Sequence, residues 1–566
     1  MLAVELNRAN YEYDVNSIVK AFYPEEQVSV LTPEMREEKR ESFREDIRIR
    51  IMLKPEGAVL AMDGEEYCWD ARDISGHRRD IPAEDDAADR TEDRDVAEAD
   101  VDPETEKEFK YGFKCFLYRV LSQVTGKELP WGNLTGIRPT KIAFQLLEEG
   151  KREREIVEHY RRRFYVSREK AELAVDIARR ERGLLEAVNH GEKGKSDVGE
   201  RAGEHVAGYC DVCGDSRNHG YSRKPGDSRD YGYSRDYGYS RGYGYSLYIG
   251  IPFCPTTCLY CSFTSFPISA YRKMVDAYVD CLIQELEYVA EWGRERILDT
   301  VYIGGGTPTT LEPEQMERLL KRLKSSFDFS TVKEFTVEAG RADSITEEKL
   351  KVLRQYEVSR ISINPQTMNQ ETLDYIGRKA SVEQVEQAYG LARKMGFDNI
   401  NMDLILGLPG EEESAVQHTI DRVVEMAPDS LTVHSLAVKR ASRLNQLVQE
   451  RGTSMLKNTD ETMRIAAEGA KRLGLLPYYL YRQKNMSGNF ENVGYAREGK
   501  YGLYNILIME EVQTIVALGA GSISKRVHPD GLIERCENVK EVAQYIERIN
   551  EMIGRKRALL SDIKNS

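Results

Sequence analysis

Tryptophan and cysteine are scarce in this chain, with 3 and 9 residues respectively among 566. So few thiols over such a length build no disulfide scaffold, and where they cluster they point to metal or redox chemistry in a reducing compartment. No apolar run approaches the ~18 residues that would mark a transmembrane helix, so no membrane span is expected. The N-terminus, Met1-Leu-Ala-Val-Glu-Leu-Asn-Arg8, lacks a basic segment followed by an apolar one, and no secretory signal is expected from it. A basic stripe interleaved with aromatics is also missing, and the net charge is −14, which argues against nucleic acid as a partner. These absences together describe a soluble cytoplasmic protein with room for roughly two to four domains.

The pattern of what remains divides the chain into four parts. Residues 1–189 read as an α+β accessory domain: 47–53 (Ile-Arg-Ile-Arg-Ile-Met-Leu) alternates as a half-buried strand should, and Phe109, Phe113, Phe116, Leu117, Val120 and Leu121 recur at helical spacing. Within it, 80–106 is too acidic and too poor in apolar residues to pack, and is expected to be a solvated excursion. Residues 190–246 form a low-complexity Tyr/Gly/Ser/Arg linker, ending in the repeats Ser228–Tyr233, Ser234–Tyr239 and Ser240–Tyr245. It contains Cys210 and Cys213 flanked by His205 and His219, a zinc-like set without the helix pattern of a finger.

From Leu247 strands alternate with amphipathic helices. Strands are expected at 247–253, 300–303, 334–338, 360–364, 399–406 and 430–436; between them Met316, Leu319, Leu320, Leu323 and Phe327 lie on one helical face. Six βα repeats over about 200 residues predict an α/β fold with a parallel sheet, a partial (βα)6 barrel rather than a closed eight-stranded one of ~250 residues. The barrel is assigned to 247–455. Residues 456–566, with strand candidates at 478–481 and 514–518, are expected to form a C-terminal α+β cap.

The chemistry concentrates after the first barrel strand, in Cys254-Pro-Thr-Thr-Cys258-Leu-Tyr-Cys261. Three thiolates at C-x3-C-x2-C hold three irons of a [4Fe–4S] cube and leave the fourth iron open to a ligand. A zinc site would need a further ligand close by, and no His or Cys stands between Cys261 and Cys281. Gly304-Gly-Gly-Thr-Pro308 follows the second strand, and its glycines permit close backbone approach to a ligand. Glu338 ends the third strand. Asp403 sits inside the apolar fifth strand, where an unpaired charge is costly, so a functional or firmly bonded role is expected.

The cysteine triplet, the glycine turn, Glu338, Gln366 and Asp403, in this order over about 248–523, resemble the radical S-adenosylmethionine (SAM) family of oxygen-independent coproporphyrinogen III dehydrogenases and related haem chaperones. Within that family the string Trp131-Gly-Asn-Leu-Thr-Gly-Ile-Arg-Pro-Thr-Lys141 looks like the N-terminal signature of the Z-type branch. The resemblance implies Cys254, Cys258 and Cys261 as cluster ligands, and SAM contacts at Tyr248, Tyr260, Ser262, Gly305, Gly306, Thr307 and Glu338. It implies further cofactor contacts, for a second SAM, at Gln366, Arg378, Asp403, Ala437 and Ile523. Asn489-Phe-Glu-Asn-Val-Gly-Tyr495 is similar to the family's aromatic motif after the barrel. The implied activity is oxidative decarboxylation of a tetrapyrrole substrate, coproporphyrinogen III, with electrons from an unidentified donor. Arg378, Lys439, Arg440 and Arg482 are the cations available to its propionates. The dehydrogenases usually continue the third cysteine with Gly and a fourth Cys; this chain has Ser262 and Phe263, as the chaperone branch has a small or acidic residue and Phe. A haem-binding protein without turnover is therefore the alternative, and a radical SAM enzyme with another substrate a third.

Overall fold

The computed structural model describes residues 1–72, 103–136, 138–189, 243–439, 442–452, 455–483, 486 and 490–561. Most of the acidic run and of the repeats, together with His205, Cys210, Cys213, His219, Arg440 and Asn489, lie outside the described residues.

The first sheet contains β1 (Leu2–Leu6), β2 (Val28–Leu31), β3 (Ile47–Lys54), β4 (Gly57–Met62) and β5 (Glu65–Asp70), in the order β2-β1-β3-β4-β5. In β3, Ile49, Ile51 and Leu53 are buried while Arg48, Arg50, Met52 and Lys54 face out, the alternation of a strand with one wet face. The buried side packs with helices Glu12–Phe22 and Pro103–Thr125 into a core that ends near Leu129. Helices Thr140–Glu148, Glu153–Phe164 and Arg168–Val188 belong to a different core, shared with the barrel. The stretch 1–189 thus contributes to two cores, and Trp131 marks the change.

The second sheet has eleven strands. Its parallel body is β6 (Tyr245–Ile251), β9 (Leu298–Gly305), β10 (Glu334–Glu338), β11 (Arg360–Ser362), β12 (Ile400–Leu406) and β13 (Ser430–Ser435), after the short pair β7 (Phe253–Cys254) and β8 (Phe266–Pro267) that follows β6. These are the six strands expected from the sequence, adjacent in chain order. The C-terminal strands β14 (Leu476–Tyr481), β15 (Asn492–Ala496), β16 (Thr514–Leu518), β17 (Ile523–Val527) and β18 (Ile533–Glu537) extend this sheet at both edges. β16 pairs parallel with β6, and β15 antiparallel with β13. The sheet stays open, with β14 and β18 at its edges.

The first barrel strand begins at Tyr245, earlier than the linker composition suggested. Gly244 donates its N–H to Asp299 Oδ2 at 3.0 Å, and the Tyr245 ring packs edge-on against Trp292 at 5.1 Å. The last Tyr of the repeat is therefore sheet, because Asp299 on β9 supplies an acceptor beside it and Trp292, on the helix Val275–Gly293, an aromatic surface.

Parallel strands covered on both faces normally read as continuous apolar runs. Here each barrel strand alternates. Leu247, Ile249, Val301, Ile303, Phe335, Val337, Ile361, Ile363, Leu431 and Val433 join the apolar core under the helices. The intervening Tyr248, Tyr302, Glu338, Ser362, Asn401, Asp403 and His434 point to the opposite face, the lumen. The lumen is therefore polar, where a purely structural barrel fills that space with branched apolar side chains.

The N-terminal helices are tied to this sheet through one buried carboxylate. Glu491 accepts from Trp131 Nε1 at 2.7 Å and pairs with Lys170 Nζ at 2.8 Å, and its exposure is 1%. Replacing Glu491 with Ala strands a buried ammonium and an indole N–H, a loss of about 3–5 kcal/mol by comparison with other broken buried pairs. Urea denaturation of E491A against wild type measures it, with E491Q expected to fall between them.

Candidate functional site

The three cysteines sit in the turn after β6, at the carboxyl end of the parallel sheet, where barrel sites form. Their loop is held on several sides. Phe266 donates its N–H to the Pro252 carbonyl at 2.8 Å, Leu259 to Ile376 at 2.9 Å, and Leu444, on the helix Arg443–Arg451, to Leu259 at 2.9 Å. Arg443 Nη2 reaches the Thr257 carbonyl at 2.6 Å, and Thr256 Oγ1 that of Gly377 at 2.9 Å.

Each sulfur has one side-chain hydrogen-bond partner. Thr307 Oγ1 lies 3.4 Å from Cys254 Sγ, Arg341 Nη1 3.8 Å from Cys258 Sγ, and Ser265 Oγ 3.8 Å from Cys261 Sγ. Burial pushes the Cys254 and Cys261 thiols up, and the neighbouring sulfurs push the same way, against the pull of the Thr307 and Ser265 hydroxyls. Holding Cys254 and Cys261 as thiolates is favoured by a cationic metal core. Among the described residues no three His, Cys, Asp or Glu side chains converge closely enough to share a single ion. Three thiols on one short loop are the donor set that a [4Fe–4S] cube with one open iron takes.

The glycine turn after β9 locks this loop. Gly306 donates its N–H to the Ile251 carbonyl at 2.8 Å and Thr307 to that of Phe253 at 2.7 Å. A Cβ on Gly306 would lie 2.5 Å from the Phe253 oxygen, and Gly305 adopts φ +107°, so both positions require glycine. The sequence suggested that this turn offers N–H and C=O groups to a ligand. Its Gly306 and Thr307 N–H groups are spent on the cysteine loop.

Tyr248 and Tyr302 occupy paired positions on β6 and β9 and stack with Tyr504 beneath the turn, Tyr302 to Tyr504 at 4.5 Å. Tyr302 donates to Glu338. Burial pushes the Glu338 carboxyl up to about 7; the Tyr302 hydroxyl opposes the shift and Asp403 adds to it. Asp403 also feels burial, yet His434 and Asn401 outweigh it and hold its carboxyl below the usual range. Asn401 Nδ2 is 2.7 Å from one Asp403 oxygen and His434 Nε2 is 3.9 Å from the other.

Gln366 joins Asp403 through the backbone, its N–H donating to the Asp403 carbonyl at 2.9 Å, at φ +70°. A left-handed non-glycine residue carries backbone strain, here held by the neighbouring strands. Its Oε1, Asn364 Oδ1, Ser362 Oγ and Arg360 Nε are buried without a hydrogen-bond partner among the described residues. They recur at every second position along β11 and its extension, so they form one unsatisfied row on the lumen wall. Each such orphan costs about 1–3 kcal/mol until a ligand or water meets it.

The other expected positions separate. Arg378 Nη2 donates to the Gly340 and Asn364 carbonyls at 2.9 and 2.7 Å and Nη1 to the Tyr260 hydroxyl at 3.2 Å, so it braces the cluster loop. Arg482 Nη1 donates to the Leu134 carbonyl at 2.7 Å, and its guanidinium lies over Trp131 at 5.9 Å. Backbone carbonyls engage both guanidiniums. Ser262 and Phe263 stand exposed at the rim, Phe263 at 76%. Ala437 makes an isolated bridge to Met486. Ile523, 47% exposed, opens β17 beside the turn in which Gly521 abuts Thr264. Sequence reasoning missed Tyr302, Arg341, Ser265, His434 and Tyr504. One signal for Tyr302 existed: Leu247-Tyr-Ile-Gly250 and Val301-Tyr-Ile-Gly304 repeat the same pattern in adjacent strands.

Cys258→Ala is expected to abolish cluster assembly while leaving the fold intact, as read by iron and sulfide content beside circular dichroism. A ligand that needs Glu338 ionised binds more tightly as pH rises through about 7. Below that pH its affinity falls by up to about tenfold per unit. Titration calorimetry with SAM at pH 6 to 8 checks this, and Glu338→Gln should flatten the profile.

Residues 248–423 match the Radical SAM superfamily. Over 461 residues the chain is 36% identical to the oxygen-independent coproporphyrinogen-III oxidase-like protein HemZ of Bacillus subtilis (strain 168), covering 81% of this chain and 82% of that protein. It is 38% identical over 208 residues to the heme chaperone HemW of the same organism, 36% of this chain and 53% of that one. The structure of coproporphyrinogen III oxidase (HemN) from Escherichia coli, described as a radical SAM enzyme, aligns at 25% identity and TM-score 0.45, over 55% of this chain and 70% of that one. The superfamily works with a [4Fe–4S] cluster and SAM. With its cysteine triplet, glycine turn and polar lumen in one open barrel, this chain belongs to the radical SAM superfamily, among the oxygen-independent coproporphyrinogen-III oxidase-like proteins.

Proposed function

We propose that the chain is a cytoplasmic oxidoreductase that converts propionates of coproporphyrinogen III to vinyl groups, giving protoporphyrinogen IX. The observation that carries this reading is the unsatisfied polar row Arg360, Ser362, Asn364 and Gln366 on the lumen wall beside Asp403. The cluster and SAM, when bound, supply a carbon radical able to abstract hydrogen. Cys254, Cys258 and Cys261 would hold the cluster. The carbonyl side of the Gly305–Gly306 turn and the Glu338 carboxylate would hold the ammonium and ribose of SAM. Asp403, kept ionised by His434 and Asn401, offers a fixed negative charge deeper in the lumen. The stacked tyrosines 248, 302 and 504 close the floor and exclude water.

In the reaction each propionate loses one β-hydrogen atom, one CO2 and one electron to an acceptor, which leaves the vinyl group. Its carboxylate needs a cation. Lys439, part-buried just beyond β13, has its ammonium pulled down by burial and no carboxylate within ion-pair reach among the described residues, so it suits this role. No helix among the described residues is long and apolar enough to cross a membrane.

Haem binding without turnover is the second reading. It is favoured by Ser262-Phe263 in place of a Gly-Cys continuation and by the exposure of Phe263 at the rim. Mass spectrometry of an anaerobic reaction with reconstituted protein, reductant, SAM and coproporphyrinogen III decides between them. Substrate-dependent loss of two CO2 together with 5′-deoxyadenosine formation is the expected outcome. An intact cluster with no decarboxylation would leave haem handling or radical chemistry on another substrate as the function.

A further inference from the structure

The three sulfur partners are unequal. Thr307 and Ser265 present neutral hydroxyls to Cys254 and Cys261, whereas Arg341 presents a guanidinium to Cys258. Arg341 lies three residues beyond Glu338, in the turn after β10, and is 4% exposed. Its five N–H donors are distributed with a purpose. Nε and Nη2 form a two-pronged pair with Asp343 at 3.0 and 2.7 Å. Nη1 reaches Thr256 Oγ1 at 2.9 Å, the Thr256 carbonyl at 3.2 Å and Cys258 Sγ at 3.8 Å. Asp343 therefore fixes the fork, and the fork aims its remaining edge at the middle cysteine. Arg378, the other buried cation of this loop, spends its bonds on two carbonyls and the Tyr260 hydroxyl.

We infer that Arg341 is a positioning residue that sets the reduction potential of the cluster through Cys258. The inference rests on the cluster being held by these three cysteines. Reduction adds one electron, and with it one negative charge, to the cluster and its thiolates. A buried cation and a charge-assisted hydrogen bond at one sulfur stabilise the more negative state, so Arg341 raises the potential. Asp343 tempers the effect by placing a carboxylate on the far side of the same guanidinium. The two residues act with opposite signs: loss of the Arg341 charge makes the cluster harder to reduce, and loss of the Asp343 charge makes it easier. A partner that merely stiffens the loop predicts no such sign reversal.

Dithionite titration of the reconstituted full-length chain under anaerobic conditions, followed by electron paramagnetic resonance, tests this in Arg341→Leu, Arg341→Lys and Asp343→Asn. Iron and sulfide content are measured on each sample first. For R341L at full iron content, the reduced-to-oxidised ratio at fixed potential should fall at least tenfold, which is about 59 mV for a one-electron couple. R341K should recover most of this, and D343N should shift the opposite way. Ratios within twofold of wild type in both R341L and D343N, at full cluster content, would overturn the inference. If R341L assembles no cluster, D343N decides alone, because it keeps the guanidinium and its bonds to Thr256. Loss of iron binding in wild-type protein would instead refute the cluster assignment itself.

Discussion

Two backbone hydrogen bonds, from Gly306 to Ile251 and from Thr307 to Phe253, determine where the cysteine loop lies. They cross from the end of β9 to the end of β6, two strands already in register through Tyr248 beside Tyr302. The register brings the glycine turn level with the first cysteine, and the absence of a Cβ at 306 lets the chains approach. Thr307 then sets its hydroxyl against Cys254, and the stacked tyrosines come to lie directly below. Cluster loop, glycine turn and lumen floor thus follow from one strand pairing. A side chain at 306 would meet the Phe253 oxygen at 2.5 Å and push all of them apart.

The lumen above that floor is polar at a cost. Its apolar counterweight is the opposite face of the same strands, where Leu247, Val301, Phe335, Ile361 and Leu431 pack under helices into the principal core. Further support comes from outside the six repeats. Trp131 and Lys170 are drawn onto Glu491 at one edge. At the other edge Glu285 and Lys556, both fully buried, hold the turn after β16. Glu285 accepts from the Gly519 N–H at 2.8 Å and from Tyr545 at 2.7 Å, while Lys556 donates to Asn538 at 2.8 Å. Buried pairs of this kind contribute little net stability, but breaking one is expensive, so they specify which surfaces meet. The N-terminal and C-terminal segments serve the barrel in the same way, by fixing its two edges.

Much of the barrel was legible in the chain because its signals are local. Strands β10 and β16 fall at the residues their patterns indicated, and all six repeats pair in sequence order. The alternation of apolar and polar residues states which strand face meets the helices. C-x3-C-x2-C carries its own chemistry in its spacing, and so does the triple glycine. Less legible were the edges. The strands of 456–566 looked like a cap, yet they add to the barrel sheet on both sides, a choice of partner that strand patterns do not encode. Tyr245 closes a low-complexity repeat and still opens β6, because Asp299 and Trp292 on other elements receive it.

For the site the division is similar. The sequence by itself determined the donor types: three thiols in one short loop, a glycine turn at the end of the next strand, and carboxyl or amide groups at 338, 366 and 403. Only the tertiary structure decided how each is used. Arg378 and Arg482 look like anion binders as residues, and the fold sets each against carbonyls of neighbouring turns. Arg341 looks like an ordinary charge in a loop, and it became the cation at Cys258 because Asp343 orients it. Hydrogen-bond partners distant in sequence follow from strand register and loop packing, and both of these appear only once the chain has folded.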